Sequence, residues 1–313
     1  LPENKTEPGQ EIPVAGIQRA NHLEALDQLI RNSPDLLNAT VTNDMTFLQR
    51  AASLGDIDLI EFLIQRGAML ERSTTAYADT PLMLAVRHGH KRAAEVLIKA
   101  GANVNAIKGG SSPLIISSAH GYLELTRLLL QSGANVNAQA SKGYTALHAA
   151  ALEGQVEAVK LLVEAGANLN AKFNWWTPLS SAIEKERVNV VRELIRAGAD
   201  PNEYGKEEGL HPLLLALRTR SFELIPTLLA ATNIDVNARD EHRSTPLMVA
   251  IEKGRYDAIE PLVKSGANLN ATNSLGYTAL HLAVIHNMPA MQLLLEAGAD
   301  PNILPFPPFY GHT

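Results

Sequence analysis

Thr145-Ala146-Leu147-His148-Ala149-Ala150 opens a unit that closes on Gly166-Ala167-Asn168-Leu169-Asn170-Ala171. The same closing phrase returns as Gly266-Ala267-Asn268-Leu269-Asn270-Ala271, and the opening one as Thr278-Ala279-Leu280-His281-Leu282-Ala283. Between and before them the pattern recurs at steps of 32 to 34 residues, with openers Thr46, Thr80, Ser112, Thr145, Thr177, His211, Thr245 and Thr278. Two residues after each opener stands Leu48, Leu82, Leu114, Leu147, Leu179, Leu213, Leu247 or Leu280. A small residue follows three further on, at Ala51, Ala85, Ser117, Ala150, Ala182, Ala216, Ala250 and Ala283. A second leucine column runs from Leu63 through Leu97, Leu129, Leu162, Leu194, Leu228 and Leu262 to Leu294.

A period near 33 residues describes units too small to bury their own apolar faces, which must stack on one another. The openers cap a helix, and Pro81, Pro113, Pro178, Pro212 and Pro246 sit at its first position, where the missing N–H has no partner to lose. The small column lets neighbouring first helices approach, while the leucine columns supply the shared core. Gly67, Gly101, Gly133, Gly166, Gly198, Gly266 and Gly298 end the second helices, where a left-handed residue is least costly for glycine.

The box at 145–150, the box at 278–283 and the closing turns resemble the ankyrin repeat over roughly residues 11 to 302. The fold class implied is an all-α ankyrin-repeat solenoid of about nine helix-turn-helix units joined by hairpin loops, forming one elongated domain. The units run approximately 11–40, 41–73, 74–106, 107–138, 139–171, 172–204, 205–238, 239–271 and 272–302. The first is a degraded cap, since Ala20 to Ile30 reads as the second half of a repeat with no box before it. Residues 1–10 read as a disordered tail, and 303–313 as a proline-rich strap over the exposed side of the last repeat. A proline-rich ligand for another domain is the other reading of that strap.

Composition narrows the function. A net charge of −6, from 27 basic and 33 acidic residues, gives no support to a nucleic-acid partner. No apolar run reaches the 18 or so residues of a membrane span, and Leu213-Leu214-Leu215-Ala216-Leu217 reads as core helix. Cysteine is absent, which removes disulfides and thiolate chemistry. Leu1 is not methionine, and the polar opening suits either a removed leader peptide or a trimmed edge. A periodic pattern with no phosphate loop, zinc-binding helix, nucleophile elbow or EF-hand predicts no enzyme, no cofactor and no metal.

The histidines read as structural. The resemblance implies that His148 and His281 hydrogen-bond between neighbouring loops, while His88 and His90 flank the interhelical Gly89. Ser117, Ser118 and His120 carry a weak nucleophile-and-base reading, undercut by Ser117 lying in the small-residue column. Asn-x-Thr sequons occur at Asn4, Asn38 and Asn270, the last also a turn residue.

Function must therefore sit in residues the repeat does not require. The resemblance implies that a protein partner is gripped on the concave side, by hairpin tips and the exposed ends of first helices. Phe173, Trp175 and Trp176 dominate that set, containing both tryptophans of the chain, with Trp175 in place of a loop glycine. Tyr77, Arg87, His88, His120, Tyr144, Leu152, Glu184, Lys185, Arg218, His242 and Arg243 follow along the same line. The expectation is a non-enzymatic, monomeric protein-binding scaffold. The alternative is an exported bacterial inhibitor or immunity-type protein that blocks a partner enzyme or toxin, periplasmic or secreted rather than cytoplasmic.

Irregularities are expected after residue 203. The loop Glu203 to Leu210 is acidic and long, and the unit after it offers Asn233 as its left-handed residue in place of glycine.

Overall fold

The computed structural model describes residues 14–40, 45–73, 79–203, 210–286 and 288–305. Tyr77, the heart of the 203–210 loop, the 1–10 tail and all but the first residues of the 303–313 strap lie outside the described residues. Among the described residues the chain is helical, with only isolated bridges Thr40 to Thr46 and Phe173 to Trp176 of β type. It divides into two compact units, Leu1–Gly109 and Gly110–Thr313.

The first unit contains α1 (Val14–Asn32), α2 (Phe47–Leu54), α3 (Ile57–Gln65), α4 (Pro81–Arg87) and α5 (Lys91–Lys99). Helices α2 and α4 pack side by side, as do α3 and α5, so each box helix stacks on the next box helix. The cap is a single helix of 19 residues where the repeat would place two, followed by a 3-10 turn at Pro34–Asn38. Asp27 of this helix pairs with Arg31 at 2.9 Å and with Arg66 at the end of α3.

The second unit holds α6 (Pro113–His120), α7 (Leu123–Gln131), α8 (Ala146–Glu153), α9 (Val156–Glu164), α10 (Pro178–Glu184) and α11 (Val188–Arg196). It continues with α12 (Pro212–Ala216), α13 (Leu224–Leu229), α14 (Pro246–Glu252), α15 (Tyr256–Lys264), α16 (Ala279–His286) and α17 (Met288–Glu296). Even-numbered first helices form one row and odd-numbered second helices another. The reason is in the columns: Leu114, Leu147, Leu179, Leu213 and Leu247 are all buried, and Ala150, Ala182, Ala216 and Ala250 have no exposed surface. Alanine there brings neighbouring helix backbones together, and leucine fills the space between rows.

The openers cap as the boxes require. Thr145 Oγ1 accepts from the His148 N–H at 3.4 Å, Thr177 Oγ1 from Ser180 at 3.1 Å and Ser112 Oγ from Ile115 at 3.2 Å. His211 does the same work with its ring, Nδ1 accepting from the Leu213 N–H at 3.3 Å. The asparagines of the closing turns stitch repeat to repeat. Asn137 Oδ1 accepts from the Asn168 N–H at 2.7 Å, Asn170 Oδ1 from Asp200 at 3.0 Å and Asn270 Oδ1 from Asp300 at 2.9 Å. The turn role of Asn270 is thus a direct bond to the following closing turn.

The repeat after residue 203 departs from the pattern, and not as its sequence suggests. Asn233 does not adopt the left-handed conformation, which among the described non-glycine residues falls to Lys142, Asn174, Glu186 and Arg243. After the short α13 the Ala231 N–H donates to the Leu228 carbonyl at 3.0 Å and the Ile234 N–H to the Ala231 carbonyl at 3.4 Å, and the chain turns without a left-handed residue. Arg255 holds the loosened segment before α13, donating to the carbonyls of Thr219 at 2.7 Å and Ser221 at 2.9 Å. Asp257 fixes the same guanidinium at 2.8 Å, and Phe222 lies 5.6 Å beneath it.

Candidate functional site

Four residues, Phe173 to Trp176, form the aromatic tip. The Phe173 N–H donates to the Trp176 carbonyl at 2.9 Å and the Trp176 N–H returns a bond to Phe173 at 2.9 Å, closing a two-residue turn. Asn174 takes the left-handed position at φ 52°, which relieves Trp175 of the conformation a glycine would otherwise have supplied. The preceding tip supports this one: the Asn174 N–H donates to the Lys142 carbonyl at 3.2 Å.

The three aromatic rings take different roles. Phe173 is half-buried, edge-on to Tyr144 at 4.8 Å and to His148 at 6.1 Å. Tyr144 in turn stacks on His148 at 5.8 Å, so Phe173 and Tyr144 brace adjacent tips rather than face outward. Trp176 is half-buried, and its carbonyl receives the His148 Nε2–H at 3.1 Å. Trp175 remains exposed, with 37% of its surface accessible on the turn.

His148 is the keystone of this arrangement. The Thr145 N–H donates to its Nδ1 at 3.3 Å, so Nδ1 is an acceptor and the ring proton sits on Nε2, donated to Trp176 of the next repeat. The neutral ring thus uses both nitrogens and is fully enclosed. Burial pushes its pKa down to about 4, against a smaller upward pull from the carbonyls of Trp176 and Ala171. Gln49 shows the same device without a titratable ring: its Oε1 accepts from the Thr46 N–H at 2.9 Å and its Nε2 donates to the Asp79 carbonyl at 2.8 Å.

The remaining candidates scatter. Arg87 pairs with Asp79 at 2.7 Å in the first unit, and exposed His88 stacks 6.2 Å from His90, whose Nε2 lies 3.1 Å from the Ser53 carbonyl. In the second unit His120 is exposed, stacks on Tyr122 at 5.2 Å and contacts the Ile116 carbonyl through Nδ1 at 2.9 Å. Leu152 is half-buried and its carbonyl accepts from Arg187 at 3.1 Å, while Glu184, Lys185, Arg218, His242 and Arg243 are exposed. Arg218 and His242 line one cavity of about 210 Å³ with Asp240, Glu241, Glu252 and Lys253. The last two were invisible to a search for unusual residues, because they are ordinary surface types; burial raises the pKa of Glu252, helped by Asp240.

Ser117 and Ser118 are both buried, while His120 points to a backbone carbonyl. Ser117 Oγ donates to Leu114 and accepts from Thr126 at 3.0 Å, which is core bonding and not a nucleophile aimed at a base. Ser118 Oγ is buried with no partner, in a column otherwise held by Ala151, Ile183 and Leu217. An unmet hydroxyl costs roughly 1–3 kcal/mol, so Ser118→Ala is expected to raise stability by about 1 kcal/mol in urea unfolding. A loss of stability would mean that the hydroxyl is satisfied. Among the described residues no group of three or more His, Asp and Glu side chains is placed to hold a metal, and no helix is long and apolar enough to cross a membrane.

Stacked helix pairs with capped boxes, closing asparagines and braced tips define a repeat protein of the ankyrin kind. A family model for ankyrin repeats (3 copies) matches residues 15–108, 103–173, 171–240 and 235–304, and the chain belongs to that family. Ankyrin repeats are generally protein–protein interaction modules and typically non-enzymatic. Among similar proteins, alpha-latrocrustotoxin-Lt1a of Latrodectus tredecimguttatus is 35% identical over 107 residues, 34% of this chain and 7% of the toxin. The human transient receptor potential cation channel subfamily A member 1 is 30% identical over 125 residues, 40% of this chain and 11% of the channel. The fowlpox virus ankyrin repeat protein FPV031 is 35% identical over 126 residues, 39% of this chain and 37% of that protein. In each case the chain spans well under two thirds of the relative's length.

Proposed function

We propose that this chain is a non-enzymatic scaffold that binds a protein partner through the hairpin tips and first helices of the 110–313 unit, with Trp175 as its apolar anchor. The observation that carries the reading is the division of labour at the tip. Phe173, Tyr144 and His148 are committed to bracing, whereas Trp175 is held on the turn with 37% of its surface still accessible. Folding favours burying such a ring, and a rigid exposed tryptophan loses little conformational freedom when a partner covers it. Arg218, His242 and Arg243 on the later repeats are exposed polar groups of the types suited to an interface rim.

The test is affinity capture of the partner from the native organism, followed by titration of wild type and Trp175→Ala against it. A hot-spot tryptophan is worth at least about 2 kcal/mol, so affinity is expected to fall about 30-fold or more. The thermal midpoint is expected to fall only slightly, because Trp175 lies outside the leucine and alanine columns and keeps 37% of its surface accessible. Equal affinity of the two proteins would remove Trp175 from the interface.

A further inference from the structure

A cavity of about 810 Å³ opens between α11 and α13, in the row of second helices, whereas Trp175 stands on a hairpin tip. Its cause is a shortened helix. α7, α9, α11 and α15 have nine residues each, and α13 has six. Val156, Val188 and Tyr256 open their helices six residues before the column leucine, but Leu224 opens α13 only four before Leu228. The far end is loosened too. From the column leucine to the closing residue that bonds back to the preceding repeat is six residues at Leu162–Asn168, Leu194–Asp200 and Leu262–Asn268, but seven at Leu228–Asp235. Asp235 keeps its bond, its N–H donating to Asn202 Oδ1 at 2.7 Å. The extra residue is therefore taken up just after α13, where Ala230 to Asn233 line the opening.

One wall is basic and the other is small and apolar. Arg192 and Arg196 stand one helical turn apart on α11 with Ile195 between them, and Pro226, Ala230 and Ala231 line the cavity from the α13 side. Neither guanidinium is satisfied by a close carboxylate. Arg192 donates to Asn189 Oδ1 at 2.9 Å and comes within only 3.8 Å of Glu223, whose side chain is 74% exposed. Arg196 is exposed and makes no hydrogen bond or ion pair among the described residues. Helices α11 and α13 still pack on each other, which leaves a groove along their junction rather than a gap for a third helix.

We propose that this groove binds an extended segment of a partner protein in which acidic and apolar residues alternate. The spacing sets the register. Four residues of helix rise about 6 Å, and two residues of an extended strand advance about 6.6 Å. Carboxylates at alternate positions therefore meet Arg192 and Arg196 in step, where guanidinium takes carboxylate in paired bonds. The residues between them point the opposite way, onto Pro226, Ala230 and Ala231, and bury apolar area there. Glu223, the acidic group on the lining, yields at little cost because its side chain is already mostly in solvent. This site is independent of Trp175 and adds a second point of attachment to the 110–313 unit.

Fluorescence anisotropy of the full chain with a fluorescein-labelled Glu-Leu-Glu-Leu-Glu-Leu peptide tests this. Saturable binding is expected below about 1 mM at low salt, weakening as salt is added. The isomer with three Glu followed by three Leu should bind about tenfold more weakly, and so should the alternating peptide to R192Q/R196Q. Ala230→Phe, which fills the groove from an exposed position, should weaken binding as well. Unchanged urea midpoints would show that these variants fold, and Trp175→Ala should bind the peptide as wild type does. Absence of saturable binding, equal affinity for the two isomers or unchanged affinity in R192Q/R196Q would overturn the proposal. Loss of binding in Trp175→Ala would overturn it too, by placing the peptide on the aromatic tip.

Discussion

Acidification from pH 7 to pH 4 is expected to cost the 110–313 unit several kcal/mol, with His148 and His211 as the principal source. Burial pushes each imidazole down to about 4, and for His211 this outweighs the upward pull of Asp235 and Asp200. An exposed imidazole titrates near 6.5, so the unfolded chain takes up a proton that the folded one refuses. Stability is therefore complete above about pH 6.5 and declines as the pH falls towards 4, by at most about 3 kcal/mol for each ring. The geometry gives the same sign. Both nitrogens of His148 are engaged as one acceptor and one donor, and His211 accepts from Leu213 at Nδ1 while Nε2 donates to Asn202 Oδ1 at 3.0 Å. A second proton would turn an acceptor into a donor facing an N–H.

The chain itself supplies the control. Gln49 occupies the box position of His148 and makes both bonds with an amide that does not titrate in this range. His148→Gln is expected to match wild type near pH 7 and to lose about 2–3 kcal/mol less between pH 7 and pH 4 in urea unfolding. Parallel profiles for the two proteins would show that the ring takes up no additional proton on unfolding.

Gly143→Ala is expected to destabilise the second unit by about 2–3 kcal/mol, because it combines backbone strain with a collision. Gly143 sits at φ 90°, where any side chain is strained, and a Cβ there would run into the Lys172 carbonyl oxygen, which is backbone and cannot rotate away. Relieving that contact separates the two tips, and with them the Asn174 to Lys142 bond and the Phe173 to Tyr144 contact. Gly133→Ala separates the two causes. Gly133 has φ 88° but no atom within 4 Å of a built Cβ, so it should lose only about 1–2 kcal/mol of left-handed strain. Equal losses in the two variants would show that the tips move apart freely, and the rigid support assigned to Trp175 would fall with that result.

Much of the repeat was readable because its causes are local. A Thr or Ser before Pro-Leu satisfies its own helix end, and glycine at residues 166 or 198 meets a backbone requirement set by its own turn. Asn233 failed as a left-handed stand-in because the outcome depended on where α13 stops. The short α13 ends at Leu229 while packed against α11 and α15, a contact between repeats that the residues of the turn do not record. The cap also exceeded its pattern, since nothing local in Val14 to Asn32 requires the chain to break where a standard repeat would.

At the candidate site the residue types alone marked Phe173, Trp175 and Trp176 as one aromatic cluster, since composition and register are all that a sequence records. Which ring braces and which is offered to solvent was decided by tertiary contact. Phe173 is drawn onto Tyr144 and His148 of the preceding repeat, the Trp176 carbonyl is taken by His148, and Asn174 assumes the strained backbone position, leaving Trp175 outside. Columns, caps and turns follow from bonds between residues a few places apart, and the sequence by itself determined them. Partners about 30 residues apart meet only when one repeat lies on the next, so the braced tip, the neutral buried imidazoles and the exposed tryptophan belong to the tertiary structure.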